Sequence, residues 1–363
     1  MKFLIVTGIY PPDIGGPATF TVAFSEWLES HGHKYHVVAL WDRKRVQPST
    51  KIVFFPRSRK KILRFISISW SVFRMLSNHD FLLATGLHEE SAFALFLKNK
   101  KSIARIVGDP VWERAKNSNR TNLSLQEFQN SKLDLKSILQ RKLLVWSLNR
   151  YTMVTCPSIE LCELVQKWGV NRPLRHIPNG VKLSELVQIS KEYDLIVVSR
   201  LVKWKNIEQV VEVAQELNLK LLIVGDGPER KSLQNKSEAL GVNADFLGEI
   251  QQDKVKNLMK KSKIFIQVSS YEGLSFSLLQ AMEAGTPCII SDIPGNLQVA
   301  QNGKEAIIVE LDNRIELRES IKKVLDSPDL AAHLVKCARA RIYESFNEDN
   351  QFNKLVKELQ DEL

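Results

Sequence analysis

Cysteine is scarce in this sequence and does not pair: Cys156, Cys162, Cys288 and Cys337 are scattered over 363 residues with no CxxC among them. The scatter suits a reducing compartment and supplies no metal-ligand spacing, which excludes a disulfide framework and argues against structural zinc. Long apolar runs are missing too. The opening MKFLIVTGIYPP meets two prolines after only a few apolar residues, too short for a secretory core, and no later run approaches the ~18 residues that a membrane-spanning helix needs. The expectation is a cytoplasmic chain that does not cross a membrane.

What is present is enough hydrophobic side chain, 44% of the residues, to fill the cores of two ordinary domains. Charge is plentiful but uneven. Residues 1–180 carry 27 Lys+Arg against 13 Asp+Glu, a net +14, while the remainder is −4. A basic partner surface, if there is one, therefore lies in the first half, where nucleic acid, an anionic membrane or a phosphorylated substrate would be attracted. A solvated basic face with no partner is the plainer reading. The cations are not interleaved with a recognisable nucleic-acid-binding motif, which argues against nucleic acid.

Short β-rich runs alternate with helical stretches, the pattern of parallel sheets covered by helices on both faces. Strands are expected at 2–7, 35–40, 51–55, 80–84, 103–107 and 152–156, and the pattern restarts with 194–199, 220–224, 245–248, 263–268, 287–291 and 306–309. Pro173, Pro178 and the turn pair Asn179-Gly180 mark a boundary between the two series, with a linker near 175–190. The sequence thus predicts an N-terminal domain over 1–178, a C-terminal domain over 179–340 and a helical tail over 341–363 that packs back across a cleft. Residues 111–145, polar and without β signals, predict a helical insertion. Two doubly wound domains facing one another would bind ligands where strand C-terminal ends open into the crevice.

Several loops carry residues suited to an anion. Gly15 and Gly16 stand between the first strand and a helix, where the backbone can come close to a phosphate at the helix N-terminus; a tight turn explains them equally. The run is not GxGxxG, so a dinucleotide-dependent oxidoreductase loses its main support. Arg200 leaves the first strand of the second series and Lys205 follows in VVSRLVKWKN, placing two cations where a diphosphate would need neutralising; the alternative is a pair of surface cations at a turn. In YEGLSFSLLQAMEAGTP, Gly273, Leu274 and Ser275 offer amides at the start of a helix. Glu272 ahead of them either caps its own helix or accepts hydroxyls of a sugar. Gln280, just over two turns on, lies roughly on the same side.

Taken in order, the IGG turn, SRLVKWKN, VGDGPER, FLGEI and YEGLSFSLLQAMEAGTPCIISDIPGN resemble the retaining glycosyltransferases of family 4, glycosyl transferases group 1, with the two-domain GT-B fold. The resemblance covers most of the chain. It implies a sugar transfer from a UDP- or GDP-linked donor to a glycan or lipid-linked acceptor, as in polysaccharide biosynthesis, with the first domain on the acceptor side. By that resemblance Gly15 and Gly16 approach the donor phosphate or sugar, and Arg200 and Lys205 bind the diphosphate. Glu272 contacts the sugar, the amides of Gly273, Leu274 and Ser275 hold phosphate, Ile250 lies beside the base, and Gln280 meets the ribose hydroxyls. No Asp-x-Asp is present, so fixed cations and amides are expected to stabilise the leaving diphosphate without a metal, and no cofactor is implied beyond the nucleotide sugar itself.

Two departures from the family pattern bear on activity. Gln280 stands where the family usually has the second glutamate, so the ribose contact survives only in uncharged form. Many members also place a histidine after a first-domain strand, whereas this loop reads RIVGDPVWERA; Asp109 either takes that histidine's place beside the reacting sugar or caps the following turn. A nucleotide-sugar epimerase and a catalytically degenerate nucleotide-binding relative are the rival readings. In KKILRFISISWSVFRM, Ile62, Phe65, Ile66, Trp70 and Phe73 share one helical face, with Lys60, Arg64 and Arg74 towards the other. Either this helix packs on its sheet, or it meets anionic lipid and holds the protein peripherally at the inner face of the membrane.

Overall fold

The computed structural model describes residues 1–11, 13, 15–41, 50–187 and 189–361. They form two compact units, Met1–Pro178 with Phe352–Leu363, and Asn179–Gln351. In the first, strands β1 (Lys2–Thr7), β2 (Lys34–Trp41), β3 (Ile52–Pro56), β4 (Phe81–Ala84), β5 (Lys101–Arg105), β6 (Met153–Cys156) and β7 (Leu174–His176) make one parallel sheet in the order β3-β2-β1-β4-β5-β6-β7. Its helices are α1 (Gly16–Ser30), α2 (Lys61–Leu76), α3 (His88–Leu97), α4 (Pro110–Asn117), α5 (Leu125–Asn130), α6 (Leu135–Leu148) and α7 (Ile159–Lys167).

The second unit repeats the architecture. Strands β8 (Tyr193–Val198), β9 (Leu221–Val224), β10 (Ala244–Gly248), β11 (Ser262–Gln267), β12 (Cys288–Ser291) and β13 (Ile307–Val309) run parallel in the order β10-β9-β8-β11-β12-β13. Around them lie α8 (Ile207–Glu216), α9 (Arg230–Leu240), α10 (Gln252–Lys260), α11 (Phe276–Ala284), α12 (Pro294–Leu297), α13 (Arg314–Asp326), α14 (Pro328–Ser345) and α15 (Glu348–Asp361), the last of which ends in the first unit. Strand β11 explains why these runs read as unbroken apolar stretches: Phe265 packs with Leu278 and Met282 on one face, Ile264 and Ile266 with Val211 and Leu221 on the other. A parallel sheet buries both faces, so both sets of alternating side chains must be apolar.

In each sheet the strand order reverses beside its first strand, between β1 and β4 and between β8 and β11. At such a switch point the loops leaving the two C-terminal strand ends diverge and open a crevice. That fixes which loops can form a site.

Two boundaries lie elsewhere than expected, and the orientation of one amphipathic helix, left open by the sequence, is now defined. Strand β7 falls in the stretch read as linker; its three residues extend the sheet through Val154, Thr155 and Cys156. The tail from 341 is not a separate element: residues 341–345 finish α14, and α15 packs into the first unit through Phe352, whose ring lies 5.5 Å from Phe20 and 5.1 Å from Phe24. Arg175 and Glu358 pair at 2.8 Å and help to hold it. Finally, α2 buries Ile68, Ser69, Val72 and Leu76, so the apolar residues Ile62, Ile66 and Trp70 face away from the sheet.

Candidate functional site

The crevice of the second unit is built where β8 and β11 end. Beyond β8 the chain reaches Arg200, whose side chain is exposed and makes no hydrogen bond or ion pair among the described residues. A 3-10 turn, Lys203–Lys205, then delivers Lys205. Its Nζ lies 2.5 Å from Glu272 Oε1 in the loop after β11, and Ser269 Oγ donates to the same oxygen at 2.7 Å. Both partners of the ion pair are largely buried, at 15% and 10% side-chain exposure, so their attraction is screened far less than a surface pair's. Glu272 Oε2 has no hydrogen bond among the described residues. The two loops are also tied by main chain, Ser270 N–H to Trp204 O at 2.8 Å.

The loop is stiff around Glu272. Gly295 lies against its backbone, where a Cβ would sit 2.2 Å from the Glu272 carbonyl oxygen; only glycine allows that approach. Next to it Asn296 Oδ1 accepts from Gln267 Nε2 at 2.9 Å, and Gln267 Oε1 accepts from Ser275 Oγ at 2.6 Å. Ser275 is the N-cap of α11, its hydroxyl accepting from Leu278 N–H at 3.2 Å. Asn179 Nδ2 donates to the Leu274 carbonyl at 2.8 Å. With these side chains and carbonyls engaged, the N–H groups of Gly273, Leu274 and Ser275 donate to no acceptor among the described residues. They are buried donors at the positive end of a helix, an arrangement suited to an anion.

Gln280 makes its contact away from this cluster. Its Nε2 donates to Gln252 Oε1 at 2.6 Å, at the start of α10. Half-buried Ile250, two residues before Gln252, packs against the core cluster that contains Leu278. Gln280 and Ile250 are therefore linked through one turn of chain, and Lys205 with Glu272 forms the other cluster. The carboxylate nearest in sequence to Gln280 on α11 does not replace the missing one. Glu283 is buried, takes Ser184 N–H and Oγ at 2.7 Å each, and pairs with Lys256 at 2.6 Å.

In the first unit Gly15 is the N-cap of α1 and Gly16 its first residue, with no side-chain cap. Sequence reasoning missed a cation beside this turn: Arg57, just after β3, donates to the Gly8 carbonyl at 2.9 Å and pairs with Asp13 at 2.6 Å. No short motif marks it, because it reaches the turn from a strand far along the chain.

Of the two readings of Asp109, the structure supports the cap. The side chain is fully buried; Oδ1 accepts from Val111 and Trp112 N–H at 2.9 and 3.2 Å, and Oδ2 accepts from Gln129 Nε2 at 2.7 Å and Arg141 Nη2 at 2.5 Å. Arg141 in turn stacks 3.9 Å from the Trp168 ring. A carboxylate so enclosed fastens α4, α5 and α6 together and is not presented to a ligand, so its catalytic assignment is withdrawn. His88 is the first residue of α3 after β4, the strand beside the switch point. It is buried, its Nδ1 has no hydrogen-bond partner among the described residues, and burial pushes its pKa down to about 4. Its imidazole is neutral near pH 7.

Known proteins resemble this chain in sequence and fold. The family profile described as Glycosyl transferases group 1 matches residues 183–341, and the profile Glycosyltransferase Family 4 matches residues 14–185. N-acetyl-alpha-D-glucosaminyl L-malate synthase of Bacillus anthracis is 28% identical over 176 residues, 46% of this chain and 46% of that protein. UDP-Gal:alpha-D-GlcNAc-diphosphoundecaprenol alpha-1,3-galactosyltransferase of Escherichia coli is 25% identical over 252 residues, 63% of this chain and 65% of that one. The matches thus span about half to two thirds of the relatives' length. Among solved structures, Anabaena HepE in complex with UDP and glucose superposes with a TM-score of 0.80 at 15% identity, covering 99% of this chain and 100% of that one. That likeness fixes the fold as GT-B, and with both profiles matched in sequence order the chain belongs to the family 4 glycosyltransferases.

Proposed function

We propose that the chain transfers a glycosyl group from a nucleoside diphosphate sugar, UDP- or GDP-linked, to a glycan or lipid-linked acceptor, with retention at the anomeric carbon. The second unit is the donor side and the first the acceptor side. The observation that carries this reading is the convergence at one switch point of exposed Arg200, the Lys205–Glu272 pair and the unpartnered amides of Gly273–Ser275. The name of the E. coli relative specifies a UDP-galactose donor and a diphosphoundecaprenol acceptor, and HepE was solved with UDP and glucose.

Breaking a sugar–diphosphate bond leaves negative charge on the departing oxygen and oxocarbenium character on the sugar. The α11 amides are held in place before the donor binds, and Arg200 and Lys205 close on the diphosphate as it arrives, so the departing charge meets donors already gathered around it. Glu272, aligned by Ser269 and Lys205, meets the sugar hydroxyls through its free oxygen. As diphosphate draws Lys205 towards itself, Glu272 is released from the pair to hold the sugar. Ile250 lies against the base and Gln280 meets the ribose. Fixed cations make a metal unnecessary in this scheme.

The test is an assay of donor with and without a panel of glycan and lipid-linked acceptors, in excess chelator. Acceptor-dependent release of nucleoside diphosphate, with the product's anomeric configuration retained, supports the reading. An isomerised sugar formed without acceptor points to an epimerase, and a requirement for magnesium or manganese removes the metal-free scheme.

A further inference from the structure

In the first unit the turn that leaves α6 and the turn that enters β7 line an open hollow of about 410 Å³, between Trp146, Asn149, Arg150, Asn171 and Arg172. Both turns precede their strands, β6 and β7, so the hollow lies at the N-terminal ends of the sheet. The switch-point crevice opens at the other end. Side chains tie the two turns together: Asn149 Oδ1 accepts from the Asn171 N–H at 2.9 Å, and the Asn149 carbonyl accepts from Arg172 Nε at 2.8 Å. Arg172 is thereby anchored through Nε, and its two terminal nitrogens make no further hydrogen bond among the described residues.

Charge and ring chemistry indicate the ligand. Arg150 and Arg172 are exposed and have no ion-pair partner among the described residues. Neither has a carboxylate close in sequence, since residues 135–159 and 164–184 contain no Asp or Glu. Arg150 alone could serve the C-terminal end of α6, but Arg172 lies beyond the C-cap of α7, Trp168, and complements no helix end. The Arg150 guanidinium lies 5.3 Å from the Trp146 ring and 5.0 Å from that of Phe96, which restricts it without neutralising it. Two planar guanidinium groups suit carboxylate or phosphate oxygens. Beside them the Asn171 amide can meet hydroxyls, and Trp146, 37% exposed, offers an apolar ring to the C–H face of a sugar. A single nucleic-acid strand would stack successive bases on several rings, whereas Trp146 is the one ring among the lining residues. The hollow is open, so a chain can pass through it.

We propose that this hollow binds an acidic glycan, with carboxylate or phosphate oxygens on Arg150 and Arg172, hydroxyls on Asn171 and a sugar ring against Trp146. The proposed transfer supplies only the purpose: a glycan held at this end of the sheet is gripped away from its reacting end. The binding itself rests on the two unpaired cations and the ring beside them.

The experiment titrates the full chain, without any donor, with dextran, carboxymethyl dextran and phosphorylated dextran of one length, and with polyglutamate as an anion that carries no sugar. One or both acidic dextrans should bind, and which of them binds tells carboxylate from phosphate; neutral dextran and polyglutamate should bind at least tenfold more weakly, because only the acidic dextrans satisfy the cations and the ring together. Arg150→Gln and Arg172→Gln should each lower that affinity about tenfold, the weight of one charged hydrogen-bonded contact. Trp146→Phe, which keeps an aromatic ring in the packing, should narrow the margin over polyglutamate. Lys60→Gln combined with Lys61→Gln removes two exposed charges elsewhere on the same unit and should change affinity little. Melting temperature and affinity for nucleoside diphosphate should be those of wild type in every variant. No binding of either acidic dextran overturns the proposal. Equal binding of polyglutamate, or equal losses from the Lys60/Lys61 and the arginine variants, overturns it too, because the attraction is then that of a basic surface. Loss of glycan binding with intact sugar transfer to a short neutral acceptor removes this site alone; normal glycan binding without transfer removes the proposed function alone.

Discussion

Lys205 Nζ and Glu272 Oε1 lie 2.5 Å apart, joining the loop after β8 to the loop after β11 across the switch point of the second sheet. The pair holds two groups with opposite tasks in the proposed reaction, a cation for diphosphate and a carboxylate for sugar. Glu272→Gln keeps the Ser269 contact but stops competing for Lys205. It should therefore bind free nucleoside diphosphate at least as tightly as wild type while turnover falls, since the lost carboxylate acts on the sugar in the transition state. Calorimetry and steady-state kinetics on the same preparation check this. Unchanged kinetic constants would leave Glu272 as a structural partner of Lys205.

Arg200 contrasts with Lys205 in having no partner among the described residues. Arg200→Ala should leave unfolding free energy within about 0.5 kcal/mol of wild type, as an exposed substitution does, and should weaken nucleoside diphosphate binding by about 1.5–3 kcal/mol, the value of a charged hydrogen bond. Denaturant melts and titration calorimetry separate the two effects. Full affinity in the variant would move the diphosphate site elsewhere.

The outlines of both sheets were legible in the sequence because parallel strands buried on both faces are continuous apolar runs: KFLIVT and KIFIQ need no partner to be recognised. Strand β7 escaped because three residues between prolines carry no periodicity. Lys205 and Glu272 were legible as separate residues; their ion pair was not, since 67 positions separate them and only the crossover order of β8 and β11 brings their loops together. Asp109 misled for a related reason. A carboxylate after a strand is the same in sequence whether it faces a ligand or Arg141, and its partners come from α5 and α6. The α2 pattern predicted amphipathicity correctly but not which side faced the sheet, because Ile68, Val72 and Leu76 form an apolar stripe of their own.

Asp109→Asn should destabilise the first unit by about 3–5 kcal/mol, because it leaves Arg141, 12% exposed, with a neutral partner beside the half-buried Trp168 ring. Replacing both, Asp109→Asn with Arg141→Met, should cost less than the sum of the single changes, since no uncompensated charge then remains. Urea denaturation of the four proteins closes the cycle. A fully stable Asp109→Asn protein without turnover would return Asp109 to the reaction.

His88 makes stability depend on pH in a defined window. Its pKa in the folded protein, about 4, is below the ordinary 6.5; as pH falls below 6.5 the unfolded chain takes a proton that the folded one refuses. Stability from this group is thus full above about 6.5, declines down to about 4 and is constant below, a loss on the order of 3 kcal/mol. Glu89, Arg114 and the desolvated Glu90 also lie near, and Glu90, its pKa raised by burial, acts in the opposite sense. Comparison of wild type with His88→Gln isolates the histidine: the variant's denaturation midpoint should fall less between pH 6.5 and 4.5. Parallel profiles would mean that His88 titrates normally.

Gln280 tests whether this chain has kept the family's ribose contact in weaker form. Its Nε2 is engaged by Gln252 Oε1, which leaves its own amide oxygen to accept a ribose hydroxyl. Gln280→Ala should lose about 0.5–1.5 kcal/mol of nucleoside diphosphate affinity, the net worth of an uncharged hydrogen bond. Gln280→Glu removes the donor to Gln252, yet the Gln252 amide can rotate and present its own N–H groups to the new carboxylate, so the link between α10 and α11 is retained. With two acceptor oxygens and charge assistance, that variant should bind at least as tightly as wild type. Titration with the 2′-deoxy nucleotide is the decisive comparison. Wild type and Gln280→Glu should lose affinity when the hydroxyl is removed, and Gln280→Ala should not notice its absence. If all three respond alike, the amide serves only to join Gln252 to α11, and the missing carboxylate marks a donor held in another pose.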